Sequence, residues 1–143
     1  MVYLLHGFIG SGKTTRAKEL EAQLNALRIN ADDWMSALFG YDPPAENFQQ
    51  NLDTILNLLQ PLWIKAAQAG VPVILDYGFW TKQFRNETES LLMTNNIPYK
   101  WVIIATPLEE CRRRNQLRNQ NAQGALNITD ATFDALSKRF EPM

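Results

Sequence analysis

Apolar residues fall into two rhythms along this chain. Short continuous runs alternate with longer segments in which apolar positions recur every three or four residues. The runs predict buried strands at Val2 to His6, Arg28 to Asn30, Val71 to Asp76 and Tyr99 to Ala105. The periodic segments predict helices. Ala17, Leu20, Leu24 and Leu27 form one stripe. From Phe48 onward, Leu52, Ile55, Leu56, Leu59, Leu62, Trp63 and Ala66 share a broad face. Phe84, Leu91 and Leu92 mark a third helix, and Phe133, Leu136 and Phe140 the last.

The punctuation between them is informative. A brief helical turn from Trp34 to Phe39 stops at Gly40, and Tyr41 to Asn47, with Pro43-Pro44, reads as a loop. Pro61 should kink or split its helix, because it removes an amide and crowds the preceding turn. Gly70 suits a helix C-cap, and Pro72 is tolerable only near the start of its strand. Thr81 can cap the next helix, which Asn95-Asn96 ends. Thr106, Pro107 and Glu109 together read as a capping box opening a helix that carries Arg112, Arg113, Arg114 and Arg118. Asn119 to Asn127 is a polar loop containing Gly124, and Thr129 precedes the final helix. Strands that alternate with helices and are apolar throughout predict a three-layer α/β fold. Its mostly parallel sheet of four or five strands is covered by helices on both faces. In such sheets a ligand lies beyond the carboxyl ends of the strands. Those ends carry a glycine-rich turn, the pair Asp32-Asp33, and Asp76.

Composition narrows the class. The 143 residues suit one domain, 1–143, with 45% hydrophobic and 20% charged residues. A net charge of −1 gives no general attraction to nucleic acid or anionic membranes. Cys111 is the single cysteine, so no intrachain disulfide forms, which fits a reducing cytoplasm. No apolar run approaches the roughly 20 residues of a membrane span, and the chain enters its first strand without a signal peptide. Nothing in the pattern specifies an oligomeric state.

The chemistry concentrates in Gly7-Phe8-Ile9-Gly10-Ser11-Gly12-Lys13-Thr14-Thr15, which fits G-x-x-x-x-G-K-[ST] at every fixed position. It lies between a strand and a helix, where its mechanism requires it. Gly7, Gly10 and Gly12 are expected at positive φ, so that backbone amides of the loop, with Ser11 and Thr15, surround a phosphate. Lys13 supplies a point charge to the terminal phosphates, and its place on an exposed loop predicts that its loss leaves the fold intact. The Thr14 hydroxyl and the Asp76 carboxylate suit Mg²⁺. Asp32 and Asp33 should divide the work, one as a base and one as a helix cap. Arg114 and Arg118, spaced i and i+4, share a helix face and can reach one polyphosphate, whereas Arg112 and Arg113 point elsewhere. Arg85 is a weaker candidate near the cleft. Trp34, Tyr77, Phe79 and Trp80 follow strand-end carboxylates and either enclose a substrate or cover the sheet edge. Trp63, Trp101, Cys111 and His6 read as structural. A GTPase is disfavoured, since no Asn-Lys-x-Asp occurs and Asp76-Tyr77-Gly78 lacks the D-x-x-G spacing.

With these residues placed, the chain resembles a family of small P-loop kinases that includes the kinase domain of bacteriophage polynucleotide 5′-kinase, chloramphenicol phosphotransferase and the zeta toxins. The resemblance rests on Gly7 to Thr15, Ile29-Asn30-Ala31-Asp32-Asp33, Val73-Ile74-Leu75-Asp76 and Arg114-Asn115-Gln116-Leu117-Arg118. It implies the P-loop NTPase fold, ATP with Mg²⁺, Asp32 as general base, Asp76 beside the acceptor, and Arg114 and Arg118 on a lid around residues 112–127. The chain departs from polynucleotide kinases at Met35, where they carry an arginine that grips the acceptor's 3′-phosphate. The expected activity is ATP-dependent phosphorylation of a hydroxyl on a small-molecule acceptor. A polynucleotide or nucleoside 5′-hydroxyl kinase is the alternative enzyme; the mildly acidic chain disfavours nucleic acid without excluding it. An ATP-binding sensor or ATPase without an acceptor is the alternative of another class.

Overall fold

A computed structural model describes residues 1–40, 43–121 and 127–143. Four parallel strands, β1 (Val2–His6), β2 (Leu27–Asn30), β3 (Val73–Gly78) and β4 (Tyr99–Ile103), lie in the order β2-β3-β1-β4. The helices are α1 (Lys13–Leu24), α2 (Ala31–Phe39), α3 (Phe48–Gln68), α4 (Lys82–Thr94), α5 (Leu108–Asn121) and α6 (Asp130–Ser137). The strand pleat sorts the core into two layers. Val2, Leu4, Val73 and Leu75 point to one face, where Met35, Ile55, Leu59, Trp63 and Leu92 from α2, α3 and α4 cover them. Leu5 and Ile74 point to the other, against Ala17 and Leu20 of α1. A smaller cluster of Phe8, Cys111 and Phe133 ties the glycine-rich turn to α5 and α6. Sheet and covering helices form the three-layer α/β arrangement that the alternation predicts, and the P-loop NTPase fold that the resemblance implies.

Several boundaries move, each for a local reason. Leu27 is not on the α1 stripe; Asn25 adopts a left-handed cap at φ 49° and the chain turns into β2, leaving Leu27 exposed. α3 runs unbroken through Pro61, whose exposed position lets neighbouring buried residues Leu59 and Trp63 hold the helix in register. Leu62 falls off the buried face and is 63% exposed. β3 starts only after Pro72, which has no amide to donate, and continues past Asp76 through Tyr77 to Gly78. β4 ends at Ile103, two residues short of Ala105. Thr106 does not cap α5: its hydroxyl donates to the Ser11 carbonyl at 2.6 Å, and Pro107 accepts the first helical bond, from the Cys111 amide. Asn119, Gln120 and Asn121 continue α5 instead of opening a loop. Gly124 and the rest of 122–126, like Tyr41 and Asp42, lie outside the described residues. Thr81 and Thr129 do cap α4 and α6, accepting from Phe84 and Thr132 amides.

Candidate functional site

The glycine turn joins β1 to α1 and is held from three sides. Trp80 Nε1 donates to the Gly7 carbonyl at 3.2 Å; Thr106 and Arg114 both donate to that of Ser11, Arg114 at 3.1 Å. Gly10 and Gly12 are left-handed, at φ 75° and 95°. A Cβ on Gly10 would meet the Cys111 carbonyl oxygen at 2.4 Å, so backbone angle and packing both demand glycine there. Gly7 is not at positive φ; its constraint is space, since a Cβ would lie 2.6 Å from Ser11 Oγ. Gly12 is the N-cap of α1 and offers no side-chain acceptor, which leaves the first-turn amides available to an anion.

Beneath the turn lies a buried polar knot built on Asp76. Its Oδ2 accepts from Asn30 Nδ2 at 2.7 Å and from Thr14 Oγ1 at 2.9 Å. Its Oδ1 is 3.3 Å from Lys13 Nζ, and Arg28 reaches within 3.9 Å of Oδ2. The Asp76 side chain is fully buried, yet Oδ1 has no hydrogen-bond partner. An acid oxygen with spare acceptor capacity beside a threonine hydroxyl is a fitting donor set for Mg²⁺, which binds through few protein ligands plus phosphate oxygens. Among the described residues no cluster of three or more His, Cys, Asp or Glu offers a closed metal cage. Lys13 is therefore less free than expected. It is the first residue of α1 and a partner of the knot, not a lysine on a bare loop.

Asn30 and Arg28 were not singled out by the sequence, and both matter. Asn30 is the N-cap of α2, its Oδ1 accepting from the Asp33 amide at 3.0 Å. Asp33 is thus not the cap; its carboxylate pairs with Arg28 at 3.6 Å. The signal was an asparagine at a strand end ahead of a helix, a favoured capping residue. Asp32 lies in the first turn of α2 and lines the same cleft as Lys13 and Thr14. It retains a solvent-facing surface, but desolvation by the surrounding cleft pushes its pKa up. Lys13 and Arg118 oppose that rise, and Asp76 and Asp33 add to it. A carboxyl with elevated proton affinity suits a base that takes a proton from an alcohol.

The cleft has a volume of about 1360 Å³. Ser11, Thr15, Arg114, Arg118 and Asp33 line it, as do Tyr77 and Trp80. Arg114 is already engaged by Ser11 and by Glu110 at 3.0 Å; Arg118 has no ion-pair partner among the described residues. Arg112 pairs with Asp134 and stacks over Phe133 at 4.8 Å, fastening α5 to α6. Three expected site residues lie off the cleft wall. Trp34 points to solvent on α2, at 44% exposed. Phe79 is fully buried against Tyr77, Phe84 and Trp101, because the left-handed turn at Gly78 and Phe79 rotates it into the core. Arg85 is buried and donates to the carbonyls of Phe79 and Glu141 at 2.8 and 2.9 Å, which makes it a brace for the C-terminal segment. Met35 is likewise completely buried and faces no acceptor. The sequence missed the opposite wall, where Phe48, Leu52 and Leu56 of α3 face the cleft together with Phe84 and Leu91 of α4.

No curated protein matches the sequence. Among solved structures, Kti12 of Chaetomium thermophilum in complex with ADP-AlF3 is similar over 99% of this chain and 80% of that one, at 20% identity and TM-score 0.70. A putative kinase of Chloroflexus aurantiacus is similar over 97% and 75%, at 16% identity and TM-score 0.74. The APS kinase CysC of Mycobacterium tuberculosis, in complex with AMPPNP and APS, is similar over 85% and 72%, at 21% identity and TM-score 0.59. At these identities the likeness shows the fold. No helix among the described residues is long and apolar enough to cross a membrane. The AAA domain family matches residues 2–143, essentially the whole sequence, and the chain belongs to that P-loop, kinase-like family.

Proposed function

We propose that the protein is an ATP-dependent kinase that moves the γ-phosphoryl group of ATP to a hydroxyl of a small molecule. The observation that carries this reading is the placement of Asp32, a carboxyl with raised proton affinity, in one cleft with the glycine turn and Lys13. A module that only holds a nucleotide has no use for a base facing the phosphate end.

In the proposed reaction the loop amides and the α1 N-terminus bind the phosphates, and Lys13 leaves Asp76 to neutralise charge on the transferring group. Asp32 takes the acceptor's hydroxyl proton as that oxygen bonds to the γ-phosphorus. The bond from phosphorus to the bridging oxygen of the β-phosphate breaks, and ADP leaves. Arg118, joined by Arg114 if it releases Ser11, adds positive charge over the γ-phosphate. Thr14 and Asp76 would hold Mg²⁺, which would supply neutralisation of the phosphate charge. A reducing compartment such as the cytoplasm suits the buried thiol of Cys111.

Two features favour a small acceptor over a polynucleotide: a mildly acidic chain, and an acceptor wall of apolar side chains from α3 and α4. The test is transfer of label from γ-labelled ATP to oligonucleotides, nucleosides, amino sugars and phenicol-type alcohols at matched concentration. Labelled small alcohols are expected. Efficient labelling of oligonucleotide 5′ ends would replace this acceptor class with nucleic acid, and ATP binding without any transfer would leave the sensor reading.

A further inference from the structure

Arg28 is a nearly buried cation that lies behind the cleft wall, not on it. Its side chain, 14% exposed, leaves β2 among three carboxylates that three other elements bring in. Its Nε donates to Glu21 Oε1 of α1 at 3.3 Å, which orients the guanidinium. Its Nη1 is then 3.6 Å from Asp33 Oδ2 of α2 and 3.9 Å from Asp76 Oδ2 of β3. That nitrogen is buried and has no hydrogen-bond partner, an unfavourable state for a charged donor. The other oxygen of the same carboxylate, Asp76 Oδ1, is equally buried and unpartnered, with Lys13 Nζ 3.3 Å away. Two cations therefore share one carboxylate, and neither makes a hydrogen bond to it.

We propose that Arg28 is a positioning residue, a second cation for Asp76 that frees Lys13 to move to the phosphates of a bound nucleotide. This rests on the nucleotide-binding half of the kinase reading above. While Lys13 is paired with Asp76, its charge is neutralised beneath the glycine turn. Moving it onto a phosphate strands a carboxylate whose side chain is 0% exposed, unless another cation stays behind. Asn30 and Thr14 give Asp76 hydrogen bonds but no charge. Arg28 gives charge. It also loosens the grip of Asp76 on Lys13, because two cations beside one carboxylate repel each other. Once Lys13 leaves, a small rotation of the carboxylate closes the 3.9 Å gap and provides Nη1 with the acceptor it lacks. Arginine suits this role, since its charge is permanent and its fork keeps Nε on Glu21 while Nη1 turns to Asp76. Glu21 and Asp33 are 41% and 61% exposed, so Asp76 is the one acid of the three that water does not reach.

The experiment is calorimetric titration of AMPPNP, which resists hydrolysis, into the wild type and Arg28→Met, first in EDTA and then with Mg²⁺. Without metal, Arg28 is the one cation left beside Asp76, among the described residues, when Lys13 moves. Arg28→Met should then weaken binding about fivefold or more, and with Mg²⁺ beside Asp76 the loss should shrink to about twofold or less. In an Asp76→Asn background the substitution should change affinity by no more than about twofold in either condition. Arg28→Lys, which keeps the charge, should recover most of the metal-free affinity. Circular dichroism confirms each fold, and Arg28→Gln takes the place of Arg28→Met if the apolar variant does not fold. No loss, an equal loss with and without Mg²⁺, an undiminished loss in the Asp76→Asn background, or no metal-free binding by the wild type would overturn the proposal. Equal losses would mark a structural brace, and an undiminished loss a general attraction for phosphate. The kinase reading fails separately, on the labelled-ATP assay: the metal-dependent loss without any phosphoryl transfer would keep the role of Arg28 and discard the kinase.

Discussion

Lys13 is the residue whose replacement separates catalysis from architecture. Its side chain is 14% exposed and its Nζ is 3.3 Å from a carboxylate whose side chain is 0% exposed. Lys13→Ala therefore removes a phosphate ligand and also strips Asp76 of a counter-charge. Breaking a buried ion pair by deleting one partner costs about 3–5 kcal/mol where nothing else compensates. Here Asn30 and Thr14 still donate to Asp76, and Arg28 remains 3.9 Å away, so about 1–2 kcal/mol is expected. For a chain of this size that lowers Tm by about 4–8 °C. In an Asp76→Asn background there is no anion to strand, and the same substitution should cost less than about 0.5 kcal/mol, a coupling of at least about 0.5 kcal/mol. Denaturation of the two single variants and the double variant, followed by circular dichroism without nucleotide, measures it. The transfer assay should show a loss on the order of a hundredfold or more for Lys13→Ala. A coupling within ~0.3 kcal/mol of zero would refute the Lys13–Asp76 contact as a stabilising one. Retained turnover would refute the phosphate cradle.

The remaining predictions address the rest of the knot and its surroundings. Asp32→Asn should keep ATP affinity and lose kcat. Because the native pKa is raised above the ordinary 3.8, the proton on Asp32 stabilises the fold at low pH, and that contribution disappears as pH rises through the native value. The asparagine variant should therefore melt above the wild type at neutral pH and equal it below the ordinary carboxylate pKa; a lower melting point at neutral pH would refute the desolvated carboxyl. Asn30→Ala, losing both the α2 cap and the bond to Asp76, should cost about 2 kcal/mol, and Asp33→Asn, losing one exposed ion pair, less than about 0.5 kcal/mol. Chemical denaturation ranks them, and the reverse order would return the capping role to Asp33. Met35→Arg places a charge in a site of zero exposure and should cost at least about 3 kcal/mol instead of creating a phosphate grip. A stably folded variant that gains oligonucleotide labelling would show otherwise.

Local chemistry was legible in the sequence; adjacency was not. The glycine turn, the four strands and the α4 and α6 caps follow from residue types at fixed short spacings, and those rules act within a few residues. Trp34, Phe79 and Arg85 were misplaced because sequence proximity to a strand-end carboxylate does not say which way a side chain turns. Phe79 follows the left-handed Gly78 and is itself left-handed at φ 48°, and that one backbone feature sends its ring inward. Thr106 fits a capping pattern, yet its hydroxyl is taken by Ser11, a residue 95 positions away. Asn30 shows the same limit from the other side. Its capping role was readable in outline, but its bond to Asp76 spans 46 positions and depends on β2 and β3 being neighbours.

The strand order explains why the cleft has two unlike halves. β1 and β4 are neighbours, so the turn after β1 and the start of the helix after β4 emerge side by side, and Thr106 and Arg114 reach the Ser11 carbonyl. That pairing delivers backbone amides, Lys13 and the α5 arginines to one end. β2 and β3 are neighbours as well, so Asn30 and Asp76 end in register and meet. α3 and α4 pack on the same face of the sheet, and both contribute residues to the cleft wall. β1 lies against β3, and across that central pair Lys13 at the start of α1 reaches Asp76 on β3. A phosphate-bearing molecule entering this cleft meets its favourable charge over β1, at the glycine turn, Lys13 and the α5 arginines. In the proposed reaction the reacting groups would meet at the seam between those two strands, where Asp32 lies within electrostatic reach of both Lys13 and Asp76.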